Sequence, residues 1–343
     1  MMKRIEYKKF GGPEVLKVKE FSINDPKRDE VQIKTHFSGV NFSDIMIRMG
    51  LYLGGPKPPS SLGSEASGII IKIGDNVKNF NIGDRIMGFA PQNGYASHAN
   101  INQKMAIKLP DNFSMEQGAA FPLVYITAYM MMFHLGNLKK GEYFFIQGAG
   151  GGVGTAAIQL GKSIGAKIIG TASKWKHDEL EKLGLDYCID YNTENVREKI
   201  MEYTNNYGAD LIIDPVGAKE WGESYKSLAP MGKLIVYGNQ NLVRGYTKSF
   251  IAMFKEFFTM PKIKPFHMMA SNKSIMGYHL GRLEGAQHKV QNAIMELNNI
   301  ISEGEITPVI SKIFPYDEAY KAHQFMQNRK NLGKILIDFS MIK

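Results

Sequence analysis

The chain has 343 residues, more than one ordinary core organises, which points to two domains. Hydrophobic residues make up 44% and charged residues 22%, the balance of a soluble folded protein rather than a disordered or fibrous one. The lone cysteine, Cys188, excludes an internal disulfide framework, a cysteine-based structural zinc site and an iron–sulfur cluster, and fits a reducing compartment, most simply the cytosol. The net charge of +9 is compatible with nucleic acid, an anionic membrane, a phosphorylated cofactor or plain solubility.

The N-terminal MMKRIEYKKFGG has no apolar stretch of the secretory type, and no window approaches the length of a membrane span. Residues 1–40 read as short strands, with period-two alternation in Val31–Phe37. Gly63, Gly68, Gly74, Gly83 and Gly88 punctuate a further β-rich stretch. After about residue 123 the character changes. Tyr143-Phe-Phe-Ile is a buried-type strand, a helix follows over 153–164, and Ala166-Lys-Ile-Ile-Gly-Thr-Ala is again a strand. The alternation continues with helix 177–183, strand 187–189, helix 194–203, strand 209–214, helix 219–228 and strand 233–237. This is the rhythm of a parallel, doubly wound α/β sheet. Ser274–Tyr278 offers a last strand, a helix follows over 286–303, and the chain ends in the strand-like Lys334-Ile-Leu-Ile-Asp-Phe.

The strongest motif is Gly148-Ala-Gly-Gly-Gly-Val-Gly154, between a predicted strand and a predicted helix. Ala149, Gly151 and Gly154 take the fingerprint positions, and Gly150, Gly152 and Val153 complete the loop. Gly151 would let the backbone approach a pyrophosphate, Gly154 would let helix pack on sheet, and the helix N-terminus would supply free N–H groups. A tight structural turn is the plainer alternative. Enzymes that use NAD place an acid at the end of the next strand. Here that segment reads Gly170-Thr-Ala-Ser-Lys-Trp-Lys-His177, with no acid before Asp178. Ser173, Lys174 and Lys176 suit a 2′-phosphate, so the expected cofactor is NADPH; a solvated basic turn is the alternative.

With these residues placed, the chain resembles the zinc-free quinone oxidoreductase branch of the medium-chain dehydrogenase/reductase superfamily over essentially its whole length. Val40-Asn-Phe-Ser-Asp44, Gly50-Leu-Tyr52, Leu62-Gly-Ser-Glu-Ala-Ser-Gly68, Gly83-Asp-Arg-Ile86 and Thr127-Ala-Tyr carry the likeness. Tyr125–Met130, Phe133–Leu138, Pro230–Lys233, His279-Leu-Gly281 and Lys330–Lys334 give a closer similarity to the vesicle amine transport protein homologues. The resemblance implies a GroES-like catalytic domain over 1–123 and 281–343, a Rossmann domain over 124–280, and an active site in the cleft between them. It also implies a homodimer, with an edge strand at 274–278 as the candidate contact. Zinc-dependent relatives have cysteine where this chain has Asn41, and a histidine is missing from Gly63-Ser-Glu65, so no metal is expected. The eight histidines are scattered without metal-ligand spacing.

The implied chemistry is hydride transfer to a quinone or an α,β-unsaturated carbonyl, with hydrogen bonds replacing the metal. By resemblance Asn41 faces the cleft, Asp44 orders its loop and Thr127 lies near the nicotinamide. Tyr52 is a candidate hydroxyl donor near the substrate, or else an aromatic that packs the loop. Tyr191 is expected near the 2′-phosphate, Gly238 and Asn239 on the nicotinamide side, and Asn331 and Lys334 as cofactor contacts from the returning tail. Cys188 reads as buried and inert. The segment 243–270 has an apolar helical face covering the cleft or a dimer interface, or, since Arg244, Lys248, Lys255, Lys262 and Lys264 face only Glu256, it makes peripheral contact with an anionic membrane. The competing function is an NADPH-binding transport or fusion protein associated with vesicles, with little turnover. Nucleic-acid binding lacks a recognition module.

Overall fold

The computed structural model describes residues 1–342 other than Gln92, Glu303 and Glu305. Glu303, the last residue of the expected helix 286–303, and Lys343, the end of the expected catalytic domain, lie outside the described residues.

The chain forms two compact units, Met1–Val124 with Val243–Lys248 and Thr307–Lys343, and Tyr125–Leu242 with Ser249–Ile306. The return to the first unit therefore comes at Thr307, not at residue 281, and a short excursion at 243–248 precedes it. The reason lies in the helix Gln287–Ser302, whose Val290, Ala293, Ile294, Leu297 and Ile301 are buried. That periodicity announces an amphipathic helix but does not say which unit covers it.

The first unit is built on strands β1 (Lys3–Tyr7), β2 (Lys17–Glu20), β3 (Glu30–Val40), β4 (Ser60–Ser61), β5 (Glu65–Ile73), β6 (Arg85–Phe89), β7 (His98–Asn102) and β8 (Ala106–Lys108). Helix α1 (Phe42–Met49) follows β3, and α2 (Met115–Ala120) and α3 (Pro122–Tyr129) lead out of the unit. β3 is its spine. It pairs antiparallel with β5 and β7, and its alternating residues Val31 and Ile33 enter a core with Ile70, Ile86, Ala99 and Ile101.

The second unit carries six parallel strands. These are β9 (Tyr143–Ile146), β10 (Lys167–Thr171), β11 (Tyr187–Ile189), β12 (Ala209–Asp214), β13 (Leu228–Val236) and β14 (Ser274–Gly277), in the order β11-β10-β9-β12-β13-β14. The crossover helices are α4 (Gly152–Ser163), α5 (His177–Leu183), α6 (Val196–Tyr203) and α7 (Ala218–Lys226). Phe144, Phe145 and Ile146 and Leu211, Ile212 and Ile213 are buried runs, as strands covered on both faces require. The strand order reverses between β9 and β12, so the glycine loop after β9 stands at the topological switch point. Past β13 come α8 (Phe250–Thr259), α9 (Pro265–Ser271) and α10 (Gln287–Ser302).

The chain then re-enters the first unit through β15 (Ile310–Pro315), α11 (Ala319–Gln327) and β16 (Lys334–Asp338). β16 joins β3 antiparallel on the edge opposite β5 and brings Lys334 to the β3–α1 junction.

Candidate functional site

In the second unit the loop after β9 is stitched to the end of β10. Gly148, at φ 77°, donates its N–H to Thr171 Oγ1 (2.9 Å), and Ala149 N–H donates to the Thr171 carbonyl (2.9 Å). The left-handed backbone at Gly148 suits glycine. Gly151 is the N-cap of α4 and supplies no capping side chain, so the amides of the first turn are left for another acceptor. A Cβ added at Gly151 would meet only Gly148 O, at 3.5 Å, and would stand in front of that turn. A Cβ at Gly154 would collide with Ala149 O, so this glycine sets the close packing of α4 on the loop.

Three of the expected phosphate-side residues meet this loop or one another. Lys176 is buried, and a Cβ at Gly150 would lie 2.7 Å from its Cδ and 3.3 Å from its Nζ, so the ammonium sits beside the loop. Ser173 and Tyr191 share a hydrogen bond between their hydroxyls at 2.9 Å. Lys174 behaves differently. It is exposed and lines a surface cleft with His177, Cys188 and Asp190. Cys188 is half-buried rather than buried, and burial, with Glu181 nearby, pushes its thiol up to about 12, which leaves it unreactive.

At the ends of β12 and β13, Gly238 packs its backbone close to Pro215 O. Asn239 Oδ1 is buried with no hydrogen-bond partner, the condition of an acceptor that a ligand amide satisfies. Two carboxylates to which the sequence alone assigns no place in the site, Asp214 and Glu256, order this end of the sheet. Asp214 accepts from Val216 N–H (2.8 Å) and Ser224 Oγ (2.7 Å), and burial pushes its carboxyl up to about 7. Glu256, from α8, accepts from Ala218 N–H (2.8 Å) at the start of α7. An acid closing an apolar strand before Pro-Val-Gly, as in Leu211-Ile-Ile-Asp-Pro-Val-Gly217, was the available signal for Asp214. Thr127, buried on α3, is held to α4 through Tyr125, whose hydroxyl accepts from Gln159 Nε2 at 3.0 Å.

In the first unit the expected residues gather at the β3–α1 junction, with a different division of labour. Lys334 Nζ donates to Val40 O (3.0 Å), Asn41 Oδ1 (2.7 Å) and Glu65 Oε1 (2.7 Å). Its three protons are thereby used, and its side chain is 4% exposed. The expected cofactor contact at Lys334 is corrected to an internal ion pair. Asn41 is likewise turned inward. Its Nδ2 donates to Glu65 Oε1 (2.8 Å) and the residue is 5% exposed, so its carboxamide joins the two charges rather than facing open space. Glu65 Oε2 accepts from Leu123 N–H (2.8 Å). Asn331 bridges the turn before β16 by donating to Gly333 O (2.9 Å).

Asp44 ties its loop together, accepting from Asn41 N–H (2.8 Å), Gly63 N–H (3.2 Å) and Tyr95 Oη (3.2 Å). Burial pushes its carboxyl up to about 6 despite these donors and Lys334. Tyr95 also shares a hydrogen bond with His323 Nε2 (3.0 Å), and burial holds that imidazole well below its ordinary range. No local sequence pattern singles out Tyr95 or His323. Tyr52 lies half-buried in the loop after α1. Among the described residues no group of three or more His, Cys, Asp or Glu could hold a metal ion.

The GroES-like domain model of alcohol dehydrogenases matches residues 27–131, and the model described as zinc-binding dehydrogenase matches 152–299. The chain is 33% identical over 333 residues to the mouse synaptic vesicle membrane protein VAT-1 homolog-like, covering 96% of this chain and 79% of that protein. It is 33% identical over 344 residues to quinone oxidoreductase 1 of Escherichia coli strain K12, covering 98% of this chain and 99% of that protein. A solved structure of Escherichia coli quinone oxidoreductase complexed with NADPH superposes with a TM-score of 0.84 at 31% identity, over 98% of this chain and 99% of that one.

Proposed function

The chain belongs to the quinone oxidoreductase branch of the medium-chain dehydrogenase/reductase family, and from that premise we propose that it is an NADPH-dependent oxidoreductase that reduces quinones or α,β-unsaturated carbonyl compounds without zinc. The observation that carries this reading is the loop at Gly151, where backbone amides of a helix N-terminus stand behind a position that only a side chain or a ligand would fill. Lys176 beside Gly150, with Ser173 and Tyr191 joined by a hydrogen bond, supports a 2′-phosphate at the adjoining end of β10.

When bound, the nicotinamide cofactor supplies a hydride. The chain's own part is to bind, orient and polarise. The first turn of α4 would receive the pyrophosphate, and Asn239 Oδ1 would accept a hydrogen bond from the nicotinamide carboxamide. Thr127 would bound the same ring. Reduction of a quinone or enone places negative charge on oxygen, and Tyr52 is the hydroxyl we assign to meet it. Asn41 and Asp44 fix the loop that carries Tyr52.

Zinc does not fit the residues present. Asn41, which stands where zinc-dependent relatives have cysteine, and Glu65 are both bonded to the Lys334 ammonium, which takes the place of a cation between them. The same reading carries a cytosolic location and a homodimer paired through β14, the edge strand of the parallel sheet.

The test is NADPH oxidation by the purified chain against quinones, enals and enones. Turnover is expected with at least one class, and more slowly with NADH. Tight NADPH binding with no turnover across the panel would replace this reading with that of a nucleotide-binding transport protein.

A further inference from the structure

Trp175 is one of two tryptophans in the chain and is 59% exposed, although a side chain of this size is ordinarily covered. It is the middle residue of the single 3-10 turn Lys174–Lys176, between β10 and α5. The turn is pinned at both ends. Lys176 N–H donates to Ser173 O (2.9 Å), and the His177 ring shares a hydrogen bond with Ala172 O (3.2 Å). Its three side chains have different surroundings. Lys174 is exposed and lines the surface cleft with Cys188. Lys176 runs back to the glycine loop and is 8% exposed. The indole goes with Lys176, whose Nζ stands 5.0 Å from the Trp175 ring centroid.

Adjacent side chains on a helical turn do not face each other, so this contact exists only because the lysine stem and the ring turn toward one another. The other side of the stem is closed by the glycine loop, where a Cβ at Gly150 would lie 2.7 Å from Lys176 Cδ. The ammonium is thus held between an indole and a backbone that only glycine leaves clear. Tryptophan presents the best aromatic face to a cation, and a lysine with four rotatable bonds loses much freedom when it is fixed. We propose that Trp175 is a positioning residue that sets the preference for a 2′-phosphate, its ring holding the Lys176 ammonium beside the glycine loop before the nucleotide arrives. Fixing the charge beforehand removes part of the ordering cost from binding. The effect passes through Lys176, so it is confined to nucleotides that carry the phosphate. This inference rests on the NADPH reading above, and it differs from stacking of the exposed indole on adenine, which NADPH and NADH share.

The test is isothermal titration of the full chain with NADPH and with NADH. Trp175→Leu keeps an apolar side chain at an exposed position and removes the aromatic face. It should raise the Kd for NADPH by about fivefold and leave that for NADH within about twofold. Trp175→Phe retains an aromatic face and should restore most of the preference, which a general loss of stability would not allow. In a Lys176→Ala background no ammonium remains to be held, so adding Trp175→Leu should cost NADPH nothing further. Equal losses for the two nucleotides, or a loss that persists without Lys176, would make Trp175 an adenine platform and overturn the proposal. Unchanged NADPH affinity in Trp175→Leu would overturn it as well, while the parent's preference for NADPH kept the cofactor reading standing. A parent that binds NADPH no better than NADH would remove the cofactor reading and this inference together.

Discussion

Lys176 and Gly151 carry the cofactor assignment between them, and they fail in different ways when changed. Lys176 lies beside Gly150 and offers a charge to a 2′-phosphate. A charge-assisted hydrogen bond contributes about 1.5–3 kcal/mol, so Lys176→Ala should raise the Kd for NADPH by roughly ten- to a hundredfold. NADH lacks that phosphate, and its affinity should change by less than about threefold. Equal losses for the two nucleotides, measured by isothermal titration or fluorescence quenching, would move the phosphate elsewhere. Gly151→Val makes a complementary point. Its Cβ meets no clash, so the variant should fold, yet the side chain would stand before the first turn of α4 and abolish nucleotide binding. Gly154→Val is the control for packing, because its Cβ collides with Ala149 O and should cost the second unit its stability. Unchanged affinity in a folded Gly151→Val variant would reject the loop as the pyrophosphate site. These residues were legible in the sequence because backbone requirements of a loop imprint glycine locally. Asn41 and Lys334 were legible as positions but not as roles, since the ion pair that claims them joins residues 269 apart in sequence.

At the scale of elements, three strands and a helix terminus converge on one buried cation. Lys334 enters from β16, Glu65 from the start of β5, Val40 from the end of β3, and Asn41 caps α1. Removing one partner of a buried ion pair leaves an uncompensated charge and costs about 3–5 kcal/mol, whereas removing both costs much less. Lys334→Met should therefore destabilise the first unit more than the combination Lys334→Met with Glu65→Gln. Urea denaturation followed by circular dichroism would measure the difference. A double variant as unstable as the sum of its singles would mean that the two side chains act independently. Element existence was readable from periodicity, and the parallel strands overlap their expected bounds, although β13 opens at Leu228 rather than at residue 233. The mounting of α8 was not. Its composition gives an apolar face, but the choice of which face to bury is made by Glu256 reaching the N-terminus of α7, a contact between residues 38 apart.

At the scale of the whole molecule, the alternation of strands and helices gave the doubly wound sheet, and the resemblance gave a first domain built from both ends of the chain, while its point of return and the excursion at 243–248 escaped, because packing rather than local sequence decides which unit claims those residues. The net charge of +9 is likewise a sum with separable parts. Lys334 is neutralised inside, Lys176 lies beside Gly150 in the glycine loop, and Lys255, Lys262 and Lys264 lie on one exposed apolar surface. Buried carboxylates add a pH dependence that surface charge does not predict. Asp214 titrates near 7 in the folded chain and near 4 when unfolded. Between those values the folded state holds a proton that the unfolded state has lost, so stability is fully present below about pH 4 and declines as pH rises through about 7. Asp44, raised to about 6, adds a decline of the same sign over a narrower window, in the other unit. Asp214→Asn fixes the neutral form and should flatten the loss of stability between about pH 4 and 7, with the variant gaining on the parent as pH rises. Both tryptophans, Trp175 and Trp221, lie in the unit that holds Asp214, so their fluorescence during urea unfolding reports on that unit. Parallel pH profiles for parent and variant would show that Asp214 ionises in the folded protein as readily as it does in the unfolded chain.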